Sequence, residues 1–373
     1  MLRKLTAVAS LLALLVTSTL FLTGCNKGNT DNAASGGGTA KRRIILLTNG
    51  DDPFWDAMRE GMNAAAKELD LASHNLEAVL DKGDFSDEAQ INKLNQYATQ
   101  TGIAAVAISS VDAKNIGIAD AMKALRASGV HVITVDSDMN DPATRFGYLG
   151  TNNVEGGQEL GKAARGLRPD GGVYATFVGL KTVANAIERI QGFKEGAGDK
   201  FVEADSLADQ GDENQAQENV KTALNTSPKL DTLVGIWAYN AHAIVNVVKE
   251  REIRDRVKVV VFDAAPAALD DMANGMIDAM IVQNPYQMGY LGTKLMKALI
   301  DDDGAAIQEL YPAYDPATKT FTQERGDILT TELRVVVPNA DSPLKNVKFN
   351  DSTQFFTYDE FRAWMNERNL KGS

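Results

Sequence analysis

Short apolar runs recur along this chain at regular intervals. Ile44–Leu47, Leu76–Leu80, Ile103–Ile108 and Val130–Val135 make a first set, and Val173–Val178, Leu233–Trp237, Val257–Phe262 and Ala279–Val282 make a second. The stretches between them carry apolar residues at helical spacing. After Asp52-Pro53, for example, Phe54, Met58, Met62, Ala65 and Leu69 follow at three- and four-residue steps. Asp52 suits the N-cap there and Pro53 the first helical position. Strands alternating with helices predict βαβ units and parallel sheets buried on both faces.

The two sets resemble one another. Ile44–Gly50, Ala104–Ser110 and His131–Ser137 are matched by Val173–Gly179, Thr232–Ala238 and Lys258–Asp263, and Asp136 and Asp263 each end an apolar strand. The predicted class is therefore α/β, with two similar open parallel-sheet lobes joined by a hinge. Open parallel sheets place ligands beyond the carboxyl ends of their strands, so two facing sheets make a cleft lined by strand-end residues. Those ends hold Thr48, Asn49, Asp51, Asp52, Phe54 and Trp55, then Asp136, Ser137 and Asp138, and in the second set Arg189, Trp237, Tyr239, Asn240, Asp263 and Gln283-Asn284. Carboxylates accept hydrogen bonds from hydroxyls, Arg and amides donate them, and aromatic faces cover the C–H faces of a ring. The combination matches a polyhydroxylated ring. Phe54 and Trp55 point about 100° apart on a helix, and both are expected to touch the cleft.

Length agrees with two lobes, since 373 residues exceed the roughly 250–300 that one core sustains. The net charge of −12 argues against nucleic acid. One cysteine, Cys25, excludes an internal disulfide and a thiolate metal site. His74, His131 and His242 are dispersed, so no metal or cofactor is expected. The start of the chain gives Cys25 a role. Arg3 and Lys4 precede an uncharged apolar stretch, Leu5–Leu22, which ends in Leu22-Thr23-Gly24-Cys25. Residues 1–24 read as a secretory signal peptide whose lipobox leaves Cys25 acylated; an uncleaved membrane helix is the competing reading. Residues 25–42, polar and glycine-rich, read as a flexible tether. The expected place is the periplasm or the outer face of the cytoplasmic membrane, anchored to the bilayer by lipid.

Residues 43–148 with 285–312 form the expected N-terminal lobe. Residues 149–284 with part of 313–373 form the C-terminal lobe and its extension. In that extension Leu333–Val337 reads as a strand, and Thr357 with Glu360 as a capping box for a helix with Phe361, Trp364 and Met365 on one face. Gly156-Gly157 lacks a phosphate-loop context and reads as close packing where the chain crosses between lobes.

An ordered set of motifs then carries a family likeness: Asp52-Pro53-Phe54-Trp55, Val132–Asp136, Thr151-Asn152-Asn153 with Gly156-Gly157, Ala186–Phe193 around Arg189, Val259–Asp263, and Gln283–Gly289. Over roughly residues 43 to 300 the chain resembles the sugar-binding proteins of bacterial ABC importers, of the ribose- and galactose-binding type with a lac-repressor-like core. The resemblance implies the type I periplasmic binding fold, a sugar or polyol ligand, an ABC permease as partner, a monomer and no enzymatic activity. It also implies sugar contacts from Asp52, Phe54, Trp55 and Asp136 in the first lobe and from Arg189, Asp263 and Gln283 in the second, with Thr48 as a further one. Two departures stand out. Ser137 replaces the Arg that ribose binders carry after the strand-end aspartate. Trp237, with Asn240 three residues on, replaces a strand-end Asn and promises a stacking face. A sugar sensor for a chemotaxis or signalling receptor is the alternative. An exported sugar-modifying enzyme using paired aspartates stands behind it, without a nucleophile elbow, phosphate loop or metal cluster.

Overall fold

A computed structural model describes residues 41–373; Cys25, with the leader and nearly all of the tether, lies outside the described residues. The first strands alternate with helices as the apolar runs predict: β1 (Arg42–Leu47), α1 (Phe54–Glu68), β2 (Leu76–Asp81), α2 (Asp87–Thr99), β3 (Ile103–Ile108), α3 (Ile116–Ala127), β4 (His131–Val135) and β5 (Tyr148–Gly150). All six residues of β3 are buried, as a strand covered by helices on both faces requires. The second series runs α4 (Asn153–Leu167), β6 (Gly172–Val178), α5 (Ala184–Ala197), β7 (Phe201–Ala208), α6 (Glu213–Thr226), β8 (Thr232–Gly235), α7 (Ala238–Glu250), β9 (Lys258–Phe262), α8 (Pro266–Ala273) and β10 (Ala279–Val282). The chain then returns through α9 (Pro285–Asp301) and α10 (Gly304–Leu310), and a small hairpin, β11 (Tyr314–Asp315) and β12 (Thr320–Phe321), follows. It ends with β13 (Ile328–Thr330), β14 (Leu333–Val337), β15 (Thr353–Thr357) and α11 (Tyr358–Asn366).

Two sheets result, ordered β13-β5-β4-β3-β1-β2 and β15-β14-β10-β9-β8-β6-β7. Every pairing in them is parallel except β10 with β14. The chain passes between the sheets three times, after β5, after β10 and after β13. The extension thus feeds both sheets, since β13 closes the edge of the first while β14 and β15 enlarge the second. The capping box at Thr357 and Glu360 is present, Phe361 and Met365 are buried, and Trp364 stacks on Phe361.

Glycines bring one helix pair in each lobe close together. A Cβ on Gly157 or Gly161 of α4 would strike the backbone of α5, and one on Gly61 of α1 would strike that of α9. The repeat seen in sequence extends to the backbone. Asp136 and Asp263, each the residue after a central strand, hold φ of 60° and 64°, a left-handed conformation in which Asp is several-fold enriched over other side chains.

Candidate functional site

The carboxyl ends of both sheets meet at a small cavity. Asn49, Asp52, Phe54, Trp55, Phe85 and Asp136 line it from the first lobe. Asn185, Arg189, Trp237, Ala238, Asp263 and Gln283 line it from the second.

Local structure explains how each side chain is presented. Helix α1 begins at Phe54, one residue later than expected, and the Oδ1 of Asp52 accepts the Phe54 N–H at 2.8 Å. Phe54 and Trp55 at that first turn pack edge to face, 5.0 Å between centroids, and both reach the cavity. Arg189 comes from α5 and is almost fully buried at 1% exposure. Its Nε donates to Asn153 Oδ1 at 3.0 Å, its Nη1 donates to the Ile236 carbonyl at 3.2 Å, and its guanidinium lies 4.4 Å over the Phe262 ring. Its Nη2 sits 3.9 Å from Asp136 and its Nη1 3.8 Å from Asp263, and the buried Nη2 has no hydrogen-bond partner among the described residues. A buried donor left unsatisfied costs about 1–3 kcal/mol, more when charged, so this nitrogen is an opening for a ligand oxygen.

Three carboxylates line the cavity, and two of them, Asp136 and Asp263, face Arg189. Burial pushes Asp52 up to about 7, helped by the charges of Asp263 and Asp136 against the Phe54 hydrogen bond. Burial raises Asp263 to about 6 and also raises Asp136, in both cases against the pull of Arg189. The two strand-end aspartates differ in partners. Asp136 accepts from Ser109 Oγ at 2.9 Å, from Ser137 Oγ at 3.3 Å and, across the cleft, from Asn185 Nδ2 at 3.2 and 3.1 Å. Among the described side-chain donors, Asp263 accepts from Gln283 Nε2 alone, at 2.8 Å. Gln283 is itself fixed, with Oε1 accepting from Thr151 Oγ1 and its carbonyl accepting from Arg334 and Ser373.

Several expected contacts sit behind the cavity wall. Thr48 Oγ1 donates to the Gly50 carbonyl and accepts the Gly83 N–H, clamping a loop onto the end of β1. Ser137 supports Asp136. Asn240 caps α7, accepting the Trp237 N–H at 3.1 Å and donating to Asp209 at 2.9 Å. None of these three lines the cavity. Asp51 pairs with Lys82, Asp138 with Arg145, Tyr239 bonds Asp209, and Asn284 caps α9. The run expected to reach Trp237 as strand ends at Gly235, and Trp237 opens α7 instead. It does line the cavity, but its ring stacks on Phe85 at 5.7 Å and 21°, so the free face expected for a ligand is already occupied on that side.

Sequence reasoning missed Asn185 and Phe85. Asn185 had a visible signal, because it lies four residues before Arg189 and so on the same helix face. Phe85, an aromatic in the Lys82–Ser86 loop, carries no periodic signal.

The arrangement of two parallel sheets crossed three times, with strand-end residues converging between them, is that of the type I periplasmic binding proteins. Residues 44–305 match the family model described as "Periplasmic binding protein domain", and the chain belongs to that family. Over 268 residues it is 27% identical to the D-allose-binding periplasmic protein of Escherichia coli K12, covering 69% of this chain and 84% of that protein. It is 26% identical over 251 residues to the D-apiose import binding protein of Actinobacillus succinogenes, 64% of this chain and 75% of that one. Among solved structures, an ABC transporter solute-binding protein of Burkholderia graminis in complex with D-arabinose superimposes with a TM-score of 0.68 at 22% identity, covering 83% of this chain and 99% of the other.

Proposed function

We propose that this chain is a lipid-anchored receptor that captures one sugar or polyol between its lobes and delivers it to an ABC importer, with acylated Cys25 as the anchor. The observation that carries the reading is Arg189, a buried cation with an unpartnered Nη2, set between carboxylates of both lobes in an aromatic-lined cavity. A ligand can drive closure only through contacts made to both lobes, and the cavity supplies acceptors and donors from each. Relatives named for allose and apiose, and a fold neighbour crystallised with arabinose, support pentoses and hexoses alike. In this reading the ionised carboxylates of Asp136 and Asp263 accept from sugar hydroxyls, and binding leaves the sugar chemically unchanged.

Equilibrium dialysis against pentoses, hexoses, deoxysugars and polyols tests the reading. One class should be retained and recovered chemically unchanged. Retention of none would remove the sugar reading, and recovery of an altered sugar would restore the enzyme alternative. Capture of the loaded protein by a permease, and not by a receptor ectodomain, separates delivery from sensing. The anchor predicts diacylglyceryl mass on a Cys25 peptide and release from membranes in Cys25→Ala.

A further inference from the structure

Phe85 holds a φ of 61° in the loop between β2 and α2, a region that a bulky side chain rarely enters. The surrounding structure fixes it there. Its N–H donates to the Asn49 carbonyl at 2.9 Å, Thr48 ties neighbouring Gly83 to the end of β1, and Ser86 caps α2 immediately after it. Room for the ring comes from both lobes: a Cβ on Gly50 in the first, or on Gly211 in the second, would collide with it. Its partner Trp237 is equally fixed. The indole N–H donates to Asn185 Oδ1 at 3.0 Å, the backbone N–H is held by Asn240, and a side chain on Gly179 would strike the indole. Both rings line the cavity, yet they lie against each other across the cleft, one from each lobe.

We propose that Phe85 and Trp237 form an aromatic gate that shuts one end of the cavity as the lobes meet, so that the site admits a single free sugar ring and rejects one bearing a second residue or an aglycone at that end. This rests on the sugar reading above and adds a size limit to it. A substituent projecting past the ring must separate Phe85 from Trp237, and because these belong to different lobes it holds the cleft open. Selection by size is thereby made part of closure. Phe85 acts as a specificity-determining wall.

Calorimetric titration with the best monosaccharide of the dialysis panel, both of its methyl glycosides and its 1,4- and 1,6-linked disaccharides tests the gate. The wild type should prefer the free sugar by roughly 100-fold, a discrimination set by steric exclusion. Phe85→Gly, which suits the left-handed backbone, should reduce that ratio to about tenfold or less, chiefly by tighter glycoside binding. Phe85→Asn, also tolerant of this φ, should behave like Phe85→Gly, while Phe85→Leu should keep the preference, with melting curves showing that each is folded. An unchanged ratio in both the Gly and Asn variants, or a wild type that binds glycosides as well as the free sugar, overturns the gate alone. A wild type that binds no sugar overturns the receptor reading and the gate together.

Discussion

Asp136 and Asp263 occupy equivalent places in the two lobes, each after a central strand, each in the left-handed region and each under 4 Å from Arg189. Their surroundings nevertheless differ. Asp136 is bonded by Ser109, Ser137 and Asn185, the last from the opposite lobe, so most of its lone pairs are committed before any ligand arrives. Asp263 is held on Oδ1 by Gln283 and leaves Oδ2 facing Arg189 at a distance too long for a hydrogen bond. The same backbone position therefore serves two ends. In the first lobe the carboxylate ties the lobes together, and in the second it is the acceptor open to a ligand hydroxyl.

The largest effect should come from Asp263→Asn, which keeps shape and tolerates the backbone while removing the charge. Loss of a charge-assisted acceptor should cost about 2–3 kcal/mol of sugar affinity, roughly 30- to 150-fold by titration. Next is pH. Sugar hydroxyls donate to the ionised form, so affinity should fall about tenfold between pH 7 and pH 5 as Asp263, near 6, takes up its proton. Stability of the empty protein should move the other way. The carboxyl binds its proton more tightly folded than at the ordinary 3.8, so acidification from 7 toward 4 should stabilise wild type relative to Asp263→Asn. Asp136→Asn should cost less, about 1 kcal/mol, because its partners already compete for it. If it costs more than Asp263→Asn, the division of roles is wrong. Smallest, Asn185→Ala should weaken binding only a few-fold, yet show a coupling of at least about 0.5 kcal/mol with Asp136→Asn in a double-mutant cycle. Strict additivity would break the cross-lobe tie.

Much of this was legible in sequence because burial on both faces leaves unbroken apolar runs such as Ile103–Ile108 and Val257–Phe262, and the residues just after them fall at the cleft. What escaped was polar or aperiodic. β7 is an edge strand in which Phe201 alone is fully buried, so it lacks the run that marks its neighbours. β13 has only three residues and joins the first sheet from far along the chain, a pairing that no local pattern announces. Trp237 and Asn240 were placed at the ligand by their position after a strand. The capping geometry of α7 instead turns Asn240 back onto Asp209, while Trp237 does reach the cavity but with one face laid on Phe85. Thr48 shows the same limit: a hydroxyl at a strand end satisfies backbone as readily as it meets a ligand.

Thermal unfolding of the purified protein with and without a panel of free monosaccharides tests the central claim most directly. Binding to the closed cleft predicts that one sugar, at a hundredfold excess over its dissociation constant, adds about 2.7 kcal/mol of stability, and that Asp263→Asn loses most of this gain at the same concentration. A panel that leaves the melting curve unmoved, or a stabilisation that Asp263→Asn retains in full, would contradict it.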